Sequence, residues 1–118
     1  MAKKKTATKK TGIAPLILEA AQLNSDLLPC GRVKIQADGH TLTVGEDLYP
    51  FERVGLLQIF TEHIGMNTSR SWLTIYDAEN RQQALVRVQA PEDVLVGFRD
   101  ALADMIIKHE ATCDVEED

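Results

Sequence analysis

The sequence is poor in cysteine, in aromatic residues and in long apolar runs, and each shortage narrows the possible functions. Its two cysteines, Cys30 and Cys113, define no disulfide framework, and we expect reduced thiols in an intracellular, cytoplasmic protein. No apolar run approaches the ~18 residues that a membrane-spanning helix requires. Glu19 interrupts the apolar segment that follows the first lysines, which argues against a secretion signal.

Catalytic and cofactor-binding motifs are also missing. The seven glycines form neither a dinucleotide-binding nor a phosphate-binding loop, and there is no nucleophile elbow. The nearest approach to a metal motif is HEATC, where His109 and Cys113 would share a helix face. Zinc sites take three or four protein ligands, and the sequence offers no second ligand pair. We therefore expect no enzyme, no cofactor and no metal.

The charges are unevenly distributed along the chain. Five of the 13 basic residues lie within residues 3–10, and all 18 acidic residues come later, so the remainder carries a net charge of −10. The five basic residues of the N-terminal segment are Lys3, Lys4, Lys5, Lys9 and Lys10. Lysines of this kind can tether a polyanion through its phosphates, but phosphate contacts alone read no base sequence.

The composition predicts three regions. Residues 1–12 have nothing to bury and are expected to form a disordered basic tail. Residues 13–110 are long enough to form a single globular domain with its own core. Residues 111–118 end in CDVEED and are expected to form an acidic C-terminal tail.

Two segments are predicted to be helices in the first half of the chain. The first, residues 15–26, begins with a proline suited to a first helical turn and carries apolar residues at helical spacing. The second, residues 50–64, has apolar residues on one helical side and a glycine at its end. Interpreted as a strand, this second segment loses its alternation around Gly55 unless a bulge is present.

Two hairpins are predicted from turn residues and alternation. In the first, residues 33–45, Asp38-Gly39 favours a two-residue turn that would place Ile35 opposite Leu42. In the second, residues 71–89, the strands SWLTIYD and ALVRVQ place Leu73 and Val88 on one apolar face. A last helix, residues 91–109, begins with a proline and two acidic residues.

These elements predict a two-layer α+β domain in which an antiparallel sheet from two hairpins is packed by three helices. If residues 50–64 are strands instead, the alternative is a strand-rich sheet with one C-terminal helix, which resembles the pleckstrin-homology superfold in topology alone.

Two surfaces are candidates for binding a partner. The first is the outward face of the second hairpin, with Trp72, Tyr76 and Arg87, because aromatic and arginine side chains are favoured anchors of recognition surfaces. The alternative for this face is burial under a helix. The second candidate is an extra apolar stripe on the last helix, formed by Val96, Ala103 and Ile107. Such a stripe is buried either within the domain or in a homodimer.

The sequence therefore predicts a small non-catalytic intracellular protein-binding module, an adaptor, regulator or inhibitor that is expected to be oligomeric. The alternative is an accessory nucleic-acid-associated protein that is tethered by its basic tail and makes weak, non-specific contacts. Neither hypothesis requires contact with a membrane.

Overall fold

One strand-rich sheet and one helix make up the fold. The computed structural model describes residues 15–109 and 114–117. Within these residues, eight strands form a single sheet in the order β4-β3-β2-β1-β7-β6-β5-β8. The strands are β1 Leu16–Leu23, β2 Pro29–Ala37, β3 Thr41–Val44, β4 Asp47–Pro50, β5 Val54–His63, β6 Ser69–Asp77, β7 Ala84–Gln89 and β8 Asp114–Glu117. A 3-10 turn, Phe51–Arg53, precedes β5, and the helix α1 is Glu92–Lys108.

The first seven strands pair antiparallel, and β8 adds to the edge of β5 in parallel. The two halves of the sheet, β1–β4 and β5–β8, meet along a short seam. At this seam β1 and β7 share only two residue pairs, Ala21 with Gln89 and Gln22 with Val88. The seam is too short to hold the halves together alone, so their relative position depends on the core between the sheet and α1.

That core is built from the inward faces of the strands and from one side of the helix. The largest fully buried side chains are Phe51, Ile35, Leu42, Leu57, Ile59, Leu73, Ile75, Leu95, Leu102, Ile106, Val54 and Val88. Phe51 in the 3-10 turn is fully buried where the chain passes from one half to the other. Because the helix supplies part of this core, the sheet needs α1 to cover its inner face.

The predicted helix over residues 15–26 is wrong, since these residues form β1. Leu18 and Ala20 are buried and alternate with the exposed Ile17 and Glu19, which is the two-residue period of a strand. Helix propensities differ by only tenths of a kcal/mol per residue, about 0–0.7 for ordinary residues. Seven residue pairs with β2 outweigh that local preference.

The predicted helix over residues 50–64 is also wrong beyond its first turn. Only Phe51–Arg53 is helical, and Val54–His63 is the strand β5. A bulge between Val54 and Leu56 restores the alternation that Gly55 interrupts, so that Leu57 and Ile59 both face the core. The architecture therefore matches the strand-rich, pleckstrin-homology-like alternative more closely than the arrangement with three helices.

The first hairpin is confirmed, with a register that differs by two residues. Ile35 lies opposite Val44, and Ala37 lies opposite Leu42; the three residues 38–40 connect the end of β2 to the start of β3. The Asp38 carboxylate accepts hydrogen bonds from the Thr41 and His40 N–H groups at 2.9 and 3.0 Å. Although burial raises the pKa of Asp38, these hydrogen bonds hold it below its ordinary value. A shift of two residues keeps the same side chains on the inner face, which explains why the predicted core residues are buried.

The second hairpin and the last helix are confirmed. β6 and β7 pair with Leu73 opposite Val88, and both side chains are fully buried. The helix begins at Glu92 and ends at Lys108, within one residue of its predicted bounds. Its buried side chains include Leu95, Phe98, Leu102 and Ile106, all of which belong to the predicted core stripe.

The turn after β6 is attached to the start of β5 by main-chain and side-chain contacts. The Arg53 guanidinium donates to both carboxylate oxygens of the buried Asp77, at 2.7 and 3.2 Å. The Ala78 N–H donates to the Arg53 carbonyl at 2.8 Å. The Asp77 carboxylate also accepts a hydrogen bond from the Glu79 N–H at 2.9 Å. The hydrogen bonds from Arg53 and, second, the one from Glu79 hold the pKa of Asp77 below its usual value.

Gly55 lies against this turn, which generates a first prediction. A Cβ at Gly55 would lie 2.5 Å from the Ala78 Cα, which is main chain and has no room to move. Gly55→Ala is expected to lower the free energy of unfolding by about 1–3 kcal/mol in urea denaturation, as overpacking does. Gly97→Ala is the control, because Gly97 is an exposed helical residue with open space around it.

The control is expected to raise the free energy of unfolding by about 0.5–1 kcal/mol, since alanine favours a helix over glycine. An unchanged urea midpoint in Gly55→Ala would show that the bulge and the turn are not in contact.

A second prediction concerns acid stability. Because the folded pKa of Asp77 is lower than its unfolded value of about 3.9, its contribution to stability is complete above that value. The contribution is lost as the pH falls through the folded pKa. Asp77→Asn is therefore expected to lower the urea midpoint at pH 7, and the difference from the wild type should shrink below about pH 4.

Glu79→Gln is the matched control for this experiment. Its exposed carboxylate lies 3.7 Å from the same arginine, and a surface contact of this length contributes little. Equal pH profiles for Asp77→Asn and the wild type would contradict the role assigned to the buried pair.

Candidate interaction surface

The outward face of β5, β6 and β7 carries the first predicted surface. Trp72, Tyr76 and Arg87 lie on this face, on the side opposite the core residues Leu73 and Val88. The burial of the three side chains differs from that of exposed anchors. Trp72 is only 7% exposed, whereas Tyr76 and Arg87 are half-buried.

Side chains of its own sheet bury Trp72, whereas α1 packs on the opposite, inner face of the sheet. Phe60, its cross-strand partner on β5, stacks on the indole with ring centroids 5.0 Å apart and an interplanar angle of 23°. The Arg70 guanidinium lies over the same indole, 4.9 Å from the ring centroid. Phe60 itself remains 38% exposed, so the outermost aromatic group of this face is Phe60.

Tyr76 and Arg87 make hydrogen bonds within the domain. The Tyr76 hydroxyl donates to Gln58 Oε1 at 3.2 Å. Arg87 donates through Nε to Thr74 Oγ1 at 3.0 Å and through a terminal nitrogen to the Asn24 carbonyl at 3.4 Å. Tyr76 therefore links β6 to β5, and Arg87 connects the face to the loop between β1 and β2.

That loop, residues 24–28, has a fixed shape. Asn24 Oδ1 accepts hydrogen bonds from the N–H groups of Asp26 and Leu28, at 2.8 and 3.1 Å. Leu27 has a φ of 64°, a left-handed conformation that is unfavourable for a leucine. The Arg70 guanidinium donates to the Leu27 carbonyl at 3.1 Å. Arg70 thus holds the strained residue of the loop against the start of β6.

An exposed apolar cluster surrounds this contact. Of the eight large apolar side chains that are exposed in the described residues, four lie on the β1–β2 loop and on the β5–β6 hairpin. We call this cluster the apolar tip; its residues are Leu28 (57% exposed), Phe60 (38%), Ile64 (54%) and Met66 (92%). Exposed apolar clusters on a small domain are typical of interaction sites.

Most of the apolar tip was absent from the sequence-based surface. Phe60 and Ile64 were assigned to a helix, which removed them from the face that carries Trp72. The available signal was the alternation of Phe60, Glu62 and Ile64 with Ile59 and Thr61, which becomes visible only with a bulge at Gly55. The contact of Arg70 with the Leu27 carbonyl is tertiary and has no sequence signature.

The second predicted surface is largely buried within the domain. Ala103 belongs to the core, and Val96 is half-buried and packs against it. Ile107 is 61% exposed and remains the only outward member of the three. The wide apolar face of the predicted first helix does not exist, because those residues form β1.

Other predicted residues have no place in this surface. Lys3, Lys4, Lys5, Lys9, Lys10 and Cys113 lie outside the described residues. Cys30 is exposed at the start of β2, and its thiol donates to the Gln22 carbonyl at 3.5 Å. Within residues 15–109 and 114–117, no group of three or more His, Cys, Asp or Glu side chains could hold a metal ion.

Two histidines meet at the C-terminal end of α1. The His40 and His109 Nδ1 atoms are 3.3 Å apart, and His109 Nε2 lies 3.2 Å from the Glu52 carboxylate. The pKa of Glu52 is lowered by a hydrogen bond within its own residue and then by the one to His109. These contacts attach the helix end to the first hairpin and to the 3-10 turn; they are on a different part of the molecule from the apolar tip.

Comparison with known proteins gives no relative. No protein-family model, curated protein or solved structure matches this chain. In the part of the chain that the structure describes, no helix has the length and apolar character needed to cross a membrane. Any function must therefore be argued from the surface itself.

The cover over Trp72 can be tested by fluorescence, since Trp72 is the only tryptophan. We expect weak quenching of the wild type by aqueous iodide, because Phe60 and Arg70 shield the indole. Phe60→Ala removes a stacking contact of about 0.5–1.5 kcal/mol, which leaves the fold intact and is expected to increase quenching. Tyr76→Phe is the control and should not change it. Strong quenching of the wild type would contradict the stacked arrangement.

Proposed function

We propose that the protein is a non-catalytic, intracellular protein-binding module, an adaptor, regulator or inhibitor, and that it binds its partner through the apolar tip. The observation that supports this proposal most directly is the clustering of Leu28, Phe60, Ile64 and Met66 at one end of the molecule. Their exposure costs solvation free energy, which binding of a partner's apolar surface would recover.

The surroundings of the apolar tip suit a binding surface. Phe60 stacks on the buried Trp72, so an aromatic anchor is held in one orientation. A side chain that is ordered before binding loses less conformational entropy on binding. Met66 stands at the hairpin end with 92% of its surface exposed, and its unbranched side chain adapts to irregular partners.

The binding role is tested by paired double variants in co-purification from the native host. Ile64→Ser with Met66→Ser changes the apolar tip, whereas Ile17→Ser with Leu48→Ser changes two exposed apolar residues on the other half of the sheet. We expect the tip variant to retain a partner at least about tenfold less well, because interface anchors commonly contribute more than 1 kcal/mol each. The control should bind as the wild type does.

Thermal unfolding of both variants should match the wild type, because all four side chains are exposed. The proposal is wrong if both double variants lose the partner equally, or if the tip variant keeps it. If the partner is a second copy of this chain, the same tip variant should lose a concentration-dependent sedimentation coefficient that the wild type shows.

The second proposal is an accessory role on nucleic acid through the five lysines of residues 3–10. Their charge favours phosphate contacts, while the acidic remainder of the chain opposes them. Deleting residues 1–12 separates the two proposals. Loss of binding to duplex DNA with unchanged capture of the protein partner would assign the tail to nucleic acid and the apolar tip to the partner.

A further inference from the structure

A cleft of about 490 Å³ lies where β7 leaves the sheet, at the end of the face that carries Arg70. β6 begins at Ser69 and pairs with β5 from that residue onward. β7 ends at Gln89, opposite Trp72, and the chain then turns through Ala90 and Pro91 into α1. The first residues of β6 therefore have β5 on one side and the cleft on the other.

Two residues that line this cleft each have a buried polar side-chain atom without a hydrogen-bond partner in the described part of the chain. These atoms are the Arg70 Nε, which is a donor, and the Gln89 Oε1, which is an acceptor. The nearest carboxylate oxygen to Arg70 Nε belongs to Glu62 at 3.6 Å, beyond hydrogen-bond distance. Burial of a polar atom without a hydrogen-bond partner is unfavourable, so each atom favours a ligand that would satisfy it.

The main chain of β6 also faces the cleft. The Ala90 N–H donates to the Ser71 carbonyl at 3.3 Å, so the main-chain groups of Ser71 point toward the β7 side. Main-chain groups of a strand alternate in direction, and those of Ser69 therefore point to the same side, where β7 has already ended. Pro91 has no N–H group with which to continue the ladder.

The required ligand must both accept and donate hydrogen bonds. An anion satisfies only the donors, and the carboxylate of Glu92 in the lining would repel it. A peptide main chain carries an acceptor and a donor at every residue and forms ladder hydrogen bonds with an open strand. We infer that this cleft binds an extended main-chain segment of a protein partner, with Ser69, Arg70 and Gln89 as its hydrogen-bonding residues.

The inference rests on the proposed function and specifies how the partner is held. Arg70 links the cleft to the apolar tip, because it is one of the lining residues of the cleft and its guanidinium contacts Trp72 and the Leu27 carbonyl. A partner segment in the cleft would pair with β6, one strand away from Phe60 on β5, and a long apolar side chain on its outward face would reach toward the apolar tip. The cleft would then recognise main chain and the apolar tip would recognise side chains.

Nuclear magnetic resonance of the full chain, labelled with nitrogen-15, tests the cleft directly. The probe is the uncharged peptide acetyl-Ala-Ala-Ala-Ala-amide, which offers main-chain groups and almost no side chain. We expect saturable shifts of the Ser69 amide, the Arg70 Nε–H and the Gln89 side-chain amide. The same peptide methylated on its backbone nitrogens lacks donors and should bind at least fivefold more weakly.

Gln89→Leu removes the unpaired acceptor, keeps a side chain of similar size and should weaken binding of the unmethylated peptide to the same extent. Gln36→Leu, on the other half of the sheet, is the control and should bind as the wild type does. Absence of saturable shifts would show that the cleft holds only water and would overturn the inference. Equal binding of the methylated peptide would overturn it as well.

The two proposals can fail separately. If Ile64→Ser with Met66→Ser loses the partner while the wild type does not bind the peptide, the proposed binding role of the apolar tip is supported and the cleft does not bind main chain. If the peptide binds the wild type and the tip variant equally while the tip variant keeps the partner, the inference that the cleft binds main chain is supported and the apolar tip is not the anchor.

Discussion

The close contact between Gly55 and the turn after β6 is the constraint on which the apolar tip, the proposed binding surface, depends. A bulge at this point inserts one residue into β5, and the main chain of Ala78 fills the space that any Cβ would need. The bulge sets which residues of β5 face outward, because a shift of one residue exchanges the two faces of a strand. With the observed register Ile59 is in the core and Phe60 stacks on Trp72.

The cleft has a similarly simple origin in the competition between strand pairing and helix packing. β6 stays paired with β5 from Ser69 to Asp77, whereas β7 must end early so that α1 can reach the inner face of the sheet. The helix is required there because Leu95, Leu102 and Ile106 are fully buried in the core. The open stretch of β6 is thus a consequence of covering the core.

Sequence patterns identified inward-facing residues more reliably than they identified element types. Asp38-Gly39 and the alternation beside it gave the correct hairpin and the correct buried residues, although the loop is one residue longer. β1 was mistaken for a helix because alanine, leucine and glutamine favour helices locally, while its pairing with β2 comes from residues distant in sequence. For the same reason Trp72 was identifiable as a surface candidate, but its cover by Phe60 was not.

Arg70 connects three features that neither the sequence pattern nor the composition revealed: the cover over Trp72, the β1–β2 loop and the cleft. Its side chain contacts an indole, a strained loop carbonyl and a cleft at once, and it is 24% exposed. Lysine could not replace it, because an ammonium group lacks the planar fork that donates in several directions. A ligand that accepts from Nε would therefore act on the same guanidinium that supports the β1–β2 loop. If the cleft binds a partner as proposed, this binding would be coupled through this one side chain to the loop that carries Leu28 of the apolar tip.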